Sequence, residues 1–329
     1  MIIVRTPYRI SLFGGGTDFP TWYNQHGGKV LAFSINKYSY LSARLLPPFF
    51  PHSYRVSYSK IEEVVSLNQM EHPAFRHALQ LFGRSKSLEI HHHGDLPARS
   101  GIGSSSAFAV GIINILSSIN GNFLETVELA NLAINFEQNV LNENVGSQDQ
   151  ITCALGGVNS IVFKPNQNWE SEKLEISESY QREISDRAVL FYSGVARNSS
   201  DISKLFLENI PKSTENMLNL VKLAEEGSKL FKIEGDLDEL GELLNESMRL
   251  KSAINPNSVN SNITELIQHA KKCGASGAKI LGAGGGGFFL FWLPPGVRSN
   301  FLSRMSPGVV VPFEIDQNGT QVIFNNSLE

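Results

Sequence analysis

Cysteine is almost missing from this chain. The two present, Cys153 and Cys273, stand far apart and form no C-x-x-C pair, so no disulfide staple is expected and a reducing cytoplasm is the simplest setting. A dominant charge of one sign is missing too: 28 basic residues face 32 acidic ones, for a net charge of −4. That balance offers no basic patch for nucleic acid or for a membrane surface. Long hydrophobic runs are also lacking. Arg5 and Arg9 interrupt Met1-Ile2-Ile3-Val4 before a signal-peptide core can form. The most apolar later stretch, Lys279 to Leu293, is broken by glycines and too short for a bilayer of about 30 Å. Neither export nor a membrane span is expected. The chain contains no G-x-x-x-x-G-K-[ST] phosphate loop, no internal repeat and no low-complexity segment.

What remains is the composition of an ordinary globular protein, with 41% hydrophobic and 18% charged residues. A chain of 329 residues is long enough for one large domain or, more naturally, two that share an interface. At this size roughly three quarters of the extended-chain surface can be buried.

The most informative stretch is Leu96-Pro97-Ala98-Arg99-Ser100-Gly101-Ile102-Gly103-Ser104-Ser105-Ser106-Ala107, followed by the apolar run Phe108 to Leu116. A glycine-bearing turn here feeds straight into a buried helix. The first turn of a helix has backbone N–H groups without intrahelical partners and the positive end of the dipole, which suits a phosphate. Gly101 and Gly103 leave room for a phosphate to approach the main chain. Ser104, Ser105 and Ser106 add hydroxyl donors and a magnesium ligand. A serine-rich helix cap without any ligand is the plain alternative.

Residues 2–13 read as a strand pair or bent strand that Pro7 pushes towards a sheet edge. The strand runs into Gly14-Gly15-Gly16-Thr17-Asp18, where Asp18 offers a carboxylate to sugar hydroxyls or simply caps a turn. Residues 28–46 read as strand, 47–51 as a proline loop, 72–83 as a short helix and 88–92 as strand. His91, His92 and His93 cannot converge on a metal from one strand, because successive side chains point to opposite faces. A second helix spans about 125–142, with Ala130, Ile134, Glu137 and Leu141 on one stripe. An acid on an apolar stripe needs a partner, either a metal or an arginine. Ser147 and Gln150 have capping-box spacing, which starts a helix at about 147 and puts Asp149 in its first turn. There it orients a hydroxyl or takes its proton, or merely stabilises the helix.

Val158 to Phe163 reads as strand and 164–183 as a polar connection. Ala188 to Gly194 reads as a strand ending in a turn, with helices at about 199–210, 213–232, 236–252 and 258–273. Arg197, between that strand and the first of these helices, is placed to meet an anion or a carboxylate. Gly282-x-Gly284-x-x-Gly287 formally matches a dinucleotide fingerprint, but that motif needs a helix after the glycines. Phe288 to Trp292 reads as strand instead, which leaves a glycine hinge between two strands.

Three glycine-bearing stretches in this order resemble those of the GHMP kinases. Pro97 to Ala107 is similar to the P-x-x-x-G-L-G-S-S-A phosphate loop of that family, Lys279 to Gly287 to its K-x-x-G-A-G-x-G-G motif, and Arg9 to Asp18 to its first motif. Together they span nearly the whole chain. Phe13-Gly14-Gly15-Gly16-Thr17-Asp18-Phe19-Pro20 departs from the G-E-H-T-D of galactokinases. It resembles, with Gly146 to Gln150 and Tyr192 to Arg197, the branch that holds the heptose 7-phosphate kinases and the fucokinase domains.

The resemblance implies an α+β fold of two domains with the active site in the cleft between them. Residues 1–180 would form an ATP-binding α/β domain like ribosomal protein S5 domain 2, and residues 181–329 a ferredoxin-like α+β domain. It implies Asp149 and Arg9 as catalytic residues. ATP would be held by Pro97, Arg99, Ser100, Gly101, Ile102, Gly103, Ser104, Ser105 and Ser106, and Mg²⁺ by Ser105 and Glu137. Gly15, Gly16, Thr17, Asp18, Arg197, Gly284 and Gly285 would meet a small sugar-phosphate substrate, with Arg197 as the basic clamp. The implied activity is phosphorylation of heptose 7-phosphate on the route to nucleotide-activated heptose. An unphosphorylated sugar such as L-fucose, or a non-catalytic sugar and ATP sensor, are the rivals.

Overall fold

Gly28 to Leu45 form one strand of 18 residues, long enough to be shared by different partners along its length. The computed structural model describes residues 1–83, 87–165, 168–194 and 199–326. In chain order they form β1 (Ile2–Phe13), α1 (Pro20–His26), β2 (Gly28–Leu45), β3 (Tyr54–Ser57), β4 (Ile61–Val64), α2 (Pro73–Phe82), β5 (Leu88–Gly94), α3 (Ser104–Ile119), α4 (Thr126–Asn135), α5 (Gln148–Leu155), β6 (Val158–Phe163) and β7 (Trp169–Lys173). There follow α6 (Glu178–Arg187), β8 (Ala188–Tyr192), α7 (Ser199–Asn209), α8 (Thr214–Lys232), α9 (Asp238–Ile254), α10 (Ser261–Lys272), β9 (Gly277–Ile280), β10 (Phe288–Trp292), α11 (Arg298–Arg304), β11 (Val309–Val311) and β12 (Gln321–Asn325). No helix of the described residues is long and apolar enough to cross a membrane.

The first sheet runs β12-β1-β2-β5-β3-β4, and β6 with β7 joins it along the first half of β2. β1 is one strand whose bend takes the form of irregularities between Pro7 and Tyr8 and between Ser11 and Phe13. β12 pairs only with Ile2 to Arg5, so Pro7, with no N–H to give, lies beyond the end of that ladder. The 164–183 connection contains more structure than expected. Trp169 to Lys173 add an edge strand to β6, and Glu178 begins α6 behind a Ser177 cap.

The second sheet is antiparallel in the order β11-β8-β10-β9. Residue 180 falls inside α6, and the last strand returns to the first sheet. α3 is buried nearly all round, from Ser106 to Ser118, which is how a helix behaves when it lacks a polar face. One continuous apolar core links the first sheet, α3 and α8 to Leu190, Phe288 and Leu290 of the second sheet. A smaller cluster, with Phe289, Phe291 and Phe301, fills the other face of that sheet.

Candidate active site

β1, the loop before α3, the start of α5 and the loop between β9 and β10 meet along one cleft. Arg9 is buried on β1. Its Nε donates to Asp149 Oδ1 at 2.6 Å, its Nη2 donates to Asp149 Oδ2, and its Nη1 donates to the Gly101 carbonyl at 2.7 Å. This is a bidentate fork, and it ties α5 to the glycine loop through one side chain. The Arg9 backbone N–H also donates to the Ile102 carbonyl at 3.1 Å. Burial alone would lower the Arg9 pKa, but the charge and hydrogen bonds of Asp149 outweigh it and hold the guanidinium above its ordinary value.

The glycine loop has the properties its composition requires. Gly101 and Gly103 have φ of 89° and 74°, left-handed values that side-chain-bearing residues resist. Gly103 precedes α3 with no side-chain cap, so the first-turn N–H groups of Ser104, Ser105 and Ser106 have no side-chain cap. Ser104 and Ser105 line the cleft together with Arg99. Pro97, Ser100 and Ile102 serve the loop itself. Ser100 Oγ donates to the Pro97 carbonyl at 2.5 Å, and Ile102 is fully buried in the core. The loop between β9 and β10 packs against it backbone to backbone. Phe288 N donates to the Ser100 carbonyl at 2.9 Å, and a β-carbon on Gly282 would stand 2.6 Å from Gly101 Cα. Glycine at 101 and 282 is what lets two main chains touch.

Asp18 is buried, with Oδ1 accepting from Gly16 N at 2.7 Å and Oδ2 from Gln148 N at 3.2 Å. Burial first, and the charge of Asp149 second, push its carboxyl above the ordinary value. It lines the cleft beside Gly16. Thr17 does not: its hydroxyl is spent behind the loop on the carbonyls of Gly14 at 2.8 Å and Lys29 at 3.0 Å. The structure therefore replaces its expected place in the substrate site with a structural one. Gly284 faces the cleft, while Gly285 N donates to the Ser258 carbonyl at 2.9 Å. Arg197 lies outside the described residues.

Glu137 is buried in a π-helical turn after α4. Its Oε2 accepts from Ser106 Oγ and from Gln150 Nε2, each at 2.6 Å, so Gln150 is not part of a capping box. Burial pushes this carboxyl up to about 7, against the pull of hydrogen bonds from Ser106, Ser105 and Gln150. No arginine or lysine among the described residues pairs with it. Gln150 Oε1 beside it is buried without a partner. An acid supported only by neutral donors, next to an orphaned carbonyl oxygen, suits a hard cation. The described residues hold no group of three His, Cys, Asp or Glu side chains placed to bind a metal.

Two lysines of the cleft wall are not among the expected site residues, although Lys279 opens the third glycine-bearing motif. Lys279 is buried, and its Nζ donates to the carbonyls of Ser11, at 2.8 Å, and Leu12. Lys251 reaches the cleft from α9. The available signal was weak: Lys251 adjoins the buried stripe Ser247, Leu250 and Ile254, where a charge needs a reason.

The family models of the GHMP kinases N terminal domain and the GHMP kinases C terminal match residues 69–157 and 216–307, together more than half of the chain. The chain belongs to the GHMP kinases. This GHMP kinase is 27% identical to a D-glycero-alpha-D-manno-heptose 7-phosphate kinase of Campylobacter jejuni, over 97% of its own length and 98% of the relative's. It is 24% identical to a bifunctional fucokinase/GDP-fucose pyrophosphorylase of Arabidopsis thaliana, over 87% of this chain and 29% of that one. Its fold matches the crystal structure of a D-glycero-D-manno-heptose 1-phosphate kinase from Bacteroides thetaiotaomicron with a TM-score of 0.80. That match is at 21% identity and covers 99% of this chain and 100% of the other. The two-domain architecture expected from the motifs is thus that of the family.

Proposed function

We propose that this kinase transfers the γ-phosphoryl group of ATP to the anomeric hydroxyl of D-glycero-D-manno-heptose 7-phosphate, giving the 1,7-bisphosphate. The observation that carries the reading is the fork between Arg9 and Asp149, set beside the uncapped start of α3. Similarity to the Campylobacter jejuni heptose 7-phosphate kinase along both chains supports the choice of acceptor.

Phosphoryl transfer demands mainly positioning and charge stabilisation. The N–H groups of residues 101–106 and the helix start receive the ATP phosphates. Ser105 and Glu137 would hold Mg²⁺, which when bound offsets the phosphate charge. Asp149 has lone pairs to spare after serving Arg9, and its side chain is 22% exposed to the cleft. It orients the acceptor hydroxyl and takes its proton as the oxygen–phosphorus bond forms. The bond from the γ-phosphorus to its bridging oxygen breaks, and ADP leaves with that electron pair. Arg9 keeps Asp149 in place.

A panel of sugars and sugar phosphates, supplied with ATP and Mg²⁺ and read by ADP release, tests the assignment, with ³¹P NMR locating the new ester. Turnover of the heptose 7-phosphate with a new anomeric phosphate supports it. Preference for L-fucose or another free sugar refutes it, and nucleotide binding without any turnover would favour the sensor.

A further inference from the structure

The chemistry above leaves three polar groups of the cleft unemployed, and they lie together. Ser11 Oγ and Gln148 Oε1 are buried and have no hydrogen-bond partner. The Lys251 ammonium has no hydrogen bond or close ion pair among the described residues; Asp18 and Asp149 act on it through space. All three side chains gather over Gly15. A β-carbon there would stand 3.0 Å from Ser11 Oγ, 3.2 Å from Gln148 Nε2 and 3.3 Å from Lys251 Nζ. Gly15 does not have a left-handed φ, so its missing side chain serves space rather than backbone conformation.

Charge and distance say what fills that space. Arg9 and Asp149 neutralise each other, and both oxygens of Asp18 already accept backbone N–H groups. Lys251 makes no close ion pair: against burial and Arg9, Asp18 and Asp149 favour its charge through space. Burial holds Lys279, fixed behind Ser11, well below the ordinary lysine range. The Lys251 ammonium and the Ser11 hydroxyl are donors facing Gly15 with the Gln148 Nε2 amide beside them, an arrangement that suits an oxyanion. The unpartnered Gln148 Oε1, an acceptor, is left for a hydroxyl of the same ligand. Ser11 lies two residues beyond Arg9 on the same face of β1, about 6–7 Å along the strand. Ser11 and Asp149 line the same cleft, so one acceptor can meet both.

We propose that Lys251, Ser11 and Gln148, gathered around Gly15, form the subsite for a phosphate monoester carried by the acceptor. The proposal rests on the sugar-phosphate reading above and assigns its recognition to residues of this chain. Lys251 supplies the charge, and Ser11 and Gln148 fix the direction from which the phosphate enters.

The test compares wild type, Lys251→Met and Gly15→Ala on heptose 7-phosphate and on the same heptose without its phosphate, with folding checked by thermal midpoint. Lys251→Met removes the charge; Gly15→Ala keeps it and fills the space. Each is expected to raise KM for the sugar phosphate roughly 10- to 100-fold, with kcat and the KM for ATP changing far less. The preference for phosphorylated over free sugar should fall by the same factor. An unmoved KM on a wild type that does use the sugar phosphate refutes the subsite and leaves the proposed function standing. A parallel fall in kcat with both acceptors also overturns it, because Lys251 would then serve the transferred group. Preference of the wild type for the free sugar refutes the underlying reading before any variant is made.

Discussion

Ser106 Oγ donates a 2.6 Å hydrogen bond to Glu137 Oε2, which joins the first turn of α3 to a buried acid 31 residues further along the chain. The same carboxylate oxygen also accepts from Gln150, one residue beyond Asp149. Anything that changes the charge on Glu137 is therefore felt at both the glycine loop and the helix that presents Asp149.

That coupling predicts a pH dependence of stability. Burial raises the Glu137 pKa to about 7, above its value in the unfolded chain. Between about pH 4.5 and 7 the folded state binds more protons at this site than the unfolded state, so its contribution falls as pH rises through that window. The metal-free wild type should lose stability there, on the order of a few kcal/mol from this group. Glu137→Gln should flatten the profile, as read by urea denaturation at several pH values. The same variant should lose kcat and the stabilisation that Mg²⁺ with nucleotide gives the wild type above pH 7. A profile identical to wild type would mean that Glu137 does not titrate there.

Asp149→Asn tests the proton step. The amide keeps the shape but cannot accept the hydroxyl proton, so kcat should fall roughly 10²- to 10⁴-fold while nucleotide affinity changes little. Removing the carboxylate also leaves the Arg9 guanidinium without its counter-ion. Breaking a buried pair costs up to about 3–5 kcal/mol, and less here because Asp149 is partly open to the cleft. Steady-state kinetics beside nucleotide titration separates the two effects; an unchanged kcat would end the proton-acceptor role.

How far the sequence reveals this site depends on whether local pattern or long-range packing decides a residue. α7 to α10 follow from 3.6-residue periodicity, and the glycine loops from residue type, because only glycine tolerates their backbone. β7 is invisible because its residues Trp169-Glu170-Ser171-Glu172-Lys173 lie at an edge and have little apolar face. The stripe through Glu137 reads as continuous helix, whereas a π-helical turn interrupts it. Ser147 and Gln150 have capping spacing, but tertiary partners claim both. Ser147 Oγ accepts from Gln138 Nε2 at 3.0 Å, and Gln150 turns to Glu137. Lys251 acquires meaning only when the second half of the chain is folded against β1, and Lys279, legible as the start of a motif, acquires its contacts there.

Lys279→Met should show how that contact holds β1 in shape. The ammonium serves two consecutive carbonyls, of Ser11 and Leu12, beside the irregularity between Ser11 and Phe13. A methionine fills the space but leaves both carbonyls without this donor, which should cost about 1–3 kcal/mol. The midpoint of urea unfolding should fall with its slope unchanged. A wild-type midpoint would show that those carbonyls find other donors at no cost.

Alanine at the two loop glycines should separate stability from catalysis. Both positions have left-handed φ, so each alanine carries a strain of about 1–2 kcal/mol. At Gly101 the new β-carbon would collide with the Leu281 carbonyl, a backbone group that cannot step aside. At Gly103 its neighbours are side-chain atoms, Arg9 Cγ at 3.0 Å and Asp149 Oδ2 at 3.5 Å, which can shift by a few tenths of an ångström. Gly101→Ala should therefore lose clearly more stability than Gly103→Ala and weaken nucleotide binding. Gly103→Ala should stay folded but lower kcat, because its β-carbon presses on the fork that holds Asp149. Equal losses of stability, or a Gly103→Ala enzyme with wild-type kcat, would show that the loop yields at both positions and that the fork does not depend on its clearance.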